Sequence, residues 1–127
     1  MGAENNLELE VAQVFSNLGW NVTMDSGKAD NGLVTDLQLV SDGKVCGYVE
    51  VFSLSSREAA VRKKERVQKI VKEMRPDFFI LTNGVLYDVF FDGNYVTSMT
   101  VPPSPERVAQ MRRLAIYYSA FRKGLGE

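Results

Sequence analysis

The chain of 127 residues contains no histidine and only one cysteine, Cys46. The missing histidine excludes imidazole acid–base catalysis and the common zinc sites, and a lone cysteine cannot form an internal disulfide. No apolar run approaches the ~20 residues of a membrane-spanning helix. The acidic N-terminus also lacks the basic and apolar segments of a secretory signal. We therefore expect a cytoplasmic protein without a membrane segment, in which any metal would be Mg²⁺ or Mn²⁺ held by oxygen ligands.

Charge is distributed unevenly along the chain, although the net charge is only −1. Residues 1–50 carry eight acidic and two basic side chains, whereas residues 57–75 carry eight basic and three acidic ones. The basic segment is interpreted in two ways, as a phosphate-binding face or as a solvated helix surface. The length fits a single domain spanning residues 1–127.

Hydrophobic periodicity and turn residues predict nine elements in the order α-β-β-β-α-β-β-β-α. The predicted bounds are helix 6–18, strands 20–25, 33–40 and 45–52, helix 56–74, strands 77–82, 85–91 and 95–101, and helix 105–122. This order indicates an α/β fold in which helices cover a mixed sheet. The last helix is expected to bury its apolar stripe: Val108, Met111, Ala115, Tyr118 and Phe121.

Two acidic residues, Asp36 and Glu50, lie on strand-like segments that flank the turn at residues 41–44. In a hairpin they can face each other, and Glu50 is expected to share its face with Cys46, Tyr48 and Phe52. An unpaired carboxylate that leaves water costs several kcal/mol. The pair therefore suggests a divalent cation, and the alternative is two strand-end acids that face solvent.

The order of these features resembles the PD-(D/E)XK nuclease superfamily. Residues 7–53, with an early Glu8, a Gly-Trp helix end, a Ser-Gly loop and the two hairpin acids, resemble the archaeal Holliday-junction resolvases of that superfamily. Residues 75–90, RPDFFILTNGVLYDVF, resemble the Leu-Thr-Asn-Gly segment of type I restriction endonuclease subunits. The resemblance implies a restriction-endonuclease-like fold that hydrolyses DNA phosphodiester bonds with Mg²⁺ or Mn²⁺.

The resemblance also implies a metal site formed by Glu8, Asp36, Glu50 and the backbone carbonyl of Val51. The position of Glu8 near a helix N-terminus has a second explanation, because the helix dipole favours an acid there.

Position 52, where the family has a lysine, is Phe52 in this chain. We expect Lys64 to replace the missing ammonium. Each residue turns the helix by about 100°, so Lys64 lies within about 60° of the apolar stripe around the helix axis, and its stem should cross the sheet-facing edge of the helix. In nucleases of this superfamily a glutamine on this helix helps to align the site, and the resemblance implies that role for Gln68, one turn later. The alternative is that the stem of Lys64 only packs beside the core.

The sequence thus predicts a metal-dependent DNA endonuclease with Asp36, Glu50, Lys64 and Gln68 as catalytic residues. Basic residues of the 57–75 helix are predicted to contact DNA phosphates: Arg57, Arg62, Lys63, Arg66 and Lys69. Motor or specificity proteins are possible further partners. One alternative is a catalytically inactive DNA-binding module of the same fold. Another is a dimeric protein-interaction domain whose interface is the helix after Ser104. The partner in this case can be a second copy of the chain, which gives a homodimer.

Overall fold

The fold was analysed in a computed structural model that describes residues 3–28, 34–53 and 57–126. The elements are α1 (Ala3–Asn17), β1 (Asn21–Lys28), β2 (Val34–Ser41), β3 (Lys44–Val51), α2 (Arg57–Met74), β4 (Phe78–Thr82), β5 (Tyr87–Phe91), β6 (Asn94–Met99) and α3 (Pro105–Gly124). The predicted order is confirmed. The predicted starts of the second strand at 33 and of the second helix at 56 lie outside the described residues.

The six strands form one mixed sheet in the order β1-β2-β3-β4-β5-β6. Neighbouring strands are antiparallel except β3 and β4, which are parallel. A parallel connection needs a crossover, and α2 supplies it. The central strands β3 and β4 therefore run side by side, and both end at the same edge of the sheet.

Helices cover both faces of the sheet. On one face α1 and the start of α3 pack on alternate strand residues, including Phe78 and Ile80. On the other face α2 places Val67 and Ile70 against Phe79. Phe78, Phe79 and Ile80 are all fully buried, as expected for a continuously apolar central strand. Within the described ranges, no helix is long and apolar enough to cross a membrane.

The start of α3 is fixed, whereas its end lies in solvent. Ser104 caps the helix, because its Oγ accepts a hydrogen bond from the Arg107 amide at 3.1 Å. Val108 is buried in the core, but Tyr118 and Phe121 are each 62% exposed. The expectation that the last two are buried is therefore wrong. A 20-residue helix spans about 30 Å, which exceeds the ~20 Å of a six-residue strand that it could cover.

Gly47 is needed where β3 passes β4. A Cβ atom at this position would lie 2.5 Å from the Phe78 carbonyl oxygen and 2.6 Å from Phe78 Cδ2. We expect Gly47→Ala to lower the free energy of unfolding by about 1–3 kcal/mol, because the backbone must shift to relieve the overlap. Urea denaturation measures this loss. Gly124→Ala is the control, since no neighbour lies within 4 Å of its Cβ position; equal destabilisation by both substitutions would contradict the prediction.

Candidate active site

Two carboxylates join β2 and β3 where the main-chain ladder ends. The last ladder pair on this side is Leu37 with Val49. Beyond it, the Asp36 amide donates a hydrogen bond to Glu50 Oε2 at 2.7 Å. The Val51 amide donates to Asp36 Oδ2 at 2.8 Å. The side chains thus replace main-chain acceptors, which fixes both carboxylates on the sheet face that α2 covers.

Lys63 on α2 contacts both acids at once. Its Nζ lies 3.1 Å from Asp36 Oδ2 and 3.1 Å from Glu50 Oε1. Arg66, one turn further along the helix, donates from Nε to the same Glu50 oxygen. The Glu50 side chain is fully buried, whereas those of Asp36 and Lys63 are 16% and 14% exposed. These two cations and two anions form a largely buried cluster, which we call the ion cluster.

The ion cluster keeps Lys63 protonated. Burial lowers the pKa of Lys63, but the negative charges of Glu50 and Asp36 and their hydrogen bonds raise it more. The net pKa lies above the usual value of 10.5. The lysine is thus a permanent cation at neutral pH.

The lysine beside the acids is Lys63 and not Lys64. Lys64 is exposed, and it forms no hydrogen bond or ion pair with the acids among the described residues. The sequence does carry a signal for Lys63. Residues 60, 63, 67, 70 and 74 follow alternating steps of three and four, and only position 63 of this sheet-facing stripe is charged.

The residues predicted to contact DNA separate into two groups. Lys63 and Arg66 contact the two acids, and their contact with DNA phosphates stays a prediction. Arg57, Arg62 and Lys69 are exposed on α2, as is the predicted aligning residue Gln68.

Glu8 is buried, with 7% exposure, on α1. Across residues 3–28, 34–53 and 57–126, no three acidic, histidine or cysteine side chains lie close enough to hold a metal ion. Glu8 therefore does not join Asp36 and Glu50 in a three-acid cluster. The backbone of Val51 contributes its amide to Asp36, and a role for its carbonyl stays a prediction.

The chemistry of the donor set nevertheless fits Mg²⁺ or Mn²⁺. One oxygen of Asp36 and one of Glu50 both contact the Lys63 ammonium, so the two oxygens are close enough to bind one ion. Mg²⁺ usually binds through one or two carboxylates and keeps several waters for contacts with phosphate. Asp36 and Glu50 would hold the ion, and Lys63 would have to move aside to make room for it.

An apolar cavity of about 360 Å³ lies beside the ion cluster. The lining residues are Phe52, Ala60, Lys63, Lys64, Val67, Gln68 and Leu81. Phe52 is half-buried, and its side chain lines this cavity. The cavity separates this end of α2 from the sheet.

The loop after β4 lies at the end of the sheet where β3 also ends, and hydrogen bonds join its residues. Thr82 Oγ1 donates to the Leu86 carbonyl at 2.7 Å and accepts from the Gly84 amide at 2.9 Å. Asn83 Oδ1 accepts from the Val85 and Leu86 amides, both at 2.9 Å. These bonds hold Val85 with 69% of its surface exposed. The Phe52 amide donates to the Thr82 carbonyl at 3.0 Å, which joins the loop to the end of β3.

Comparison with a solved structure supports the fold. The chain is similar to part of a cryo-EM structure of a DrdV–DNA complex, with a TM-score of 0.51, 17% identity, and coverage of 87% of this chain and 10% of that chain. A second match is the crystal structure of the type IIG restriction endonuclease BpuSI, with a TM-score of 0.41, 18% identity, and coverage of 69% and 11%. No family model and no curated protein matches this chain. The predicted restriction-endonuclease-like mixed α/β fold is confirmed, and this chain spans about a tenth of the DrdV chain.

Proposed function

We propose that this chain is a DNA-cleaving domain of the PD-(D/E)XK type that hydrolyses phosphodiester bonds with Mg²⁺ or Mn²⁺. The observation that carries the proposal is the contact of one lysine ammonium with two carboxylates, at 3.1 Å from each. The fold shared with part of a DNA complex supports DNA as the ligand. Lys63 thereby takes the role that the sequence assigned to Lys64.

The acidic residues of the site would bind the metal ion, and the basic residues would contact the DNA phosphates. Asp36 and Glu50 would hold the ion, which supplies a polarised phosphate and a more acidic water when bound. Lys63 would exchange a carboxylate oxygen for a phosphate oxygen and stabilise the negative charge that develops there. Arg66, whose side chain is 40% exposed, is the second cation within reach of that phosphate. Exposed Arg57, Arg62 and Lys69 would contact neighbouring phosphates.

Nicking of supercoiled plasmid DNA tests the proposal. We expect nicking only after Mg²⁺ or Mn²⁺ is added, and chelation by EDTA should abolish it. Glu50→Gln should reduce nicking to background, because it removes a charged ligand and keeps the shape of the side chain. Duplex and branched DNA are compared in the same titration. Nicking that persists undiminished in Glu50→Gln would show that the observed cleavage does not use this site, and it would contradict the proposal.

A second candidate is a DNA-binding module of the same fold without catalysis. Phe52 in place of the expected lysine favours it, as does the ion cluster, in which both acids already have cationic partners. This module would bind DNA with an affinity that falls steeply with salt, and it would cleave in no divalent metal.

Protein partners form part of the proposal. The exposed Tyr118 and Phe121 on α3 support an interface with a second copy or with a motor or specificity protein in the cytoplasm.

A further inference from the structure

The cavity beside the ion cluster is placed to hold part of a bound DNA strand. Lys63 belongs to both features, because it lines the cavity and contacts Asp36 and Glu50. Phe52, which also lines the cavity, follows Glu50 by two residues and comes directly after the end of β3. A group inside the cavity would therefore lie next to a phosphate that is held at the acids.

The walls of the cavity suit a flat heteroaromatic ring. Ala60, Val67 and Leu81 supply aliphatic surface, and Phe52 supplies an aromatic face on which a base can stack. Lys64 and Gln68 line the cavity with the aliphatic parts of their side chains, so the cavity offers a base a stacking surface. The volume of about 360 Å³ is near the lower limit for small-ligand pockets. It suits one nucleobase better than any larger part of a duplex.

The loop after β4 provides an independent observation. Val85 is an exposed apolar side chain on a loop that is held by four hydrogen bonds within residues 82–86. Proteins that distort DNA insert such apolar side chains between base steps and partly unstack them. The loop lies at the sheet end where Phe52 is found, and its Gly84 packs against Leu7 of α1.

We propose that the cavity binds a single nucleobase that is turned out of the DNA stack beside the phosphate at the ion cluster. The preferred ligand is then DNA with an unpaired nucleotide, since an unpaired base leaves the stack more easily than a paired one. This inference rests on the proposed function, because it assumes that DNA binds at the acids. It also gives the Phe52 ring a role that an ammonium at position 52 would not fill.

Binding of two labelled duplexes tests the pocket in the absence of divalent metal, one fully paired and one with a single unpaired nucleotide. We expect the chain to bind the second duplex about tenfold more tightly, in line with the stacking of one base on an aromatic side chain. Ala60→Phe fills the cavity and should reduce this preference to about one. Val61→Phe is the matched control, because Val61 is the next residue of the helix and is 51% exposed; it should keep the preference.

Two results would contradict the proposal that the cavity binds a nucleobase. One is equal affinity of the unaltered chain for the two duplexes, and the other is an undiminished preference in Ala60→Phe. Plasmid nicking, measured separately, distinguishes this failure from failure of the nuclease proposal. Metal-dependent nicking without a preference for DNA with an unpaired nucleotide would refute the nucleobase proposal and leave the nuclease proposal standing. A binding preference for the unpaired nucleotide that is lost in Ala60→Phe, in a chain that does not nick DNA, would refute the nuclease proposal and leave the nucleobase proposal standing.

Discussion

Lys63→Met is expected to reduce metal-dependent nicking about a hundredfold or more, which is the usual effect of removing one group that stabilises transition-state charge. Lys64→Met, on the same helix, should change the rate by about twofold at most, because Lys64 is exposed and does not contact the acids. Initial rates on supercoiled plasmid measure both variants. Circular dichroism at the assay temperature verifies that each variant is folded.

A rescue variant separates loss of the ammonium from loss of local structure. Adding Phe52→Lys to Lys63→Met returns a cation to the strand position that the family resemblance expects, two residues after Glu50. We expect about a tenfold recovery of the nicking rate, which is less than full activity because the new stem must share space with α2. A larger loss in Lys64→Met than in Lys63→Met would show that the cation was assigned to the wrong residue.

The acid pair was predictable because its position depends on short-range rules. Strand alternation and the tight turn place Asp36 and Glu50 on one face, and the hydrogen bond from the Asp36 amide to Glu50 agrees with that placement. The choice between Lys63 and Lys64 depends on how α2 lies over the sheet. Neighbouring residues on a helix differ by about 100°, so the rotation of the helix about its axis decides which of them faces the acids. Periodicity narrows the choice, and the tertiary packing decides it.

The expectation for Cys46 was wrong for a different reason. Cys46 was expected to share a face with Tyr48 and Glu50, but it packs with the core under α1, whereas Tyr48 packs under α2. The register between β2 and β3 shifts between Leu39 and Val40, where a β-bulge adds a residue to β3. A bulge reverses the sheet face to which the preceding residues of the strand point, so Cys46 lies on the opposite face from Tyr48. This stretch of sequence carries no clear signal for a bulge.

The stability of the fold should also depend strongly on Lys63. Lys63→Met leaves the fully buried Glu50 carboxylate with Arg66 as its remaining cationic partner in the ion cluster. Breaking one side of a buried ion pair typically costs about 3–5 kcal/mol, and the contact that remains favours the lower end of that range. We therefore expect the free energy of unfolding at pH 7 to fall by about 3 kcal/mol, as measured by urea denaturation. Lys64→Met should stay within about 0.5 kcal/mol of the unaltered chain.

The pH dependence of this loss identifies its cause. Because the pKa of Lys63 is raised above 10.5 in the folded chain, its stabilising charge is fully present at neutral pH and disappears as pH rises through that raised pKa. The difference in unfolding free energy between the unaltered chain and Lys63→Met should therefore be constant up to about pH 9.5 and shrink above 10.5. A difference that stays constant through this range would assign the loss to packing of the lysine stem. A difference that shrinks would show that the ammonium itself holds the two carboxylates between the sheet and α2.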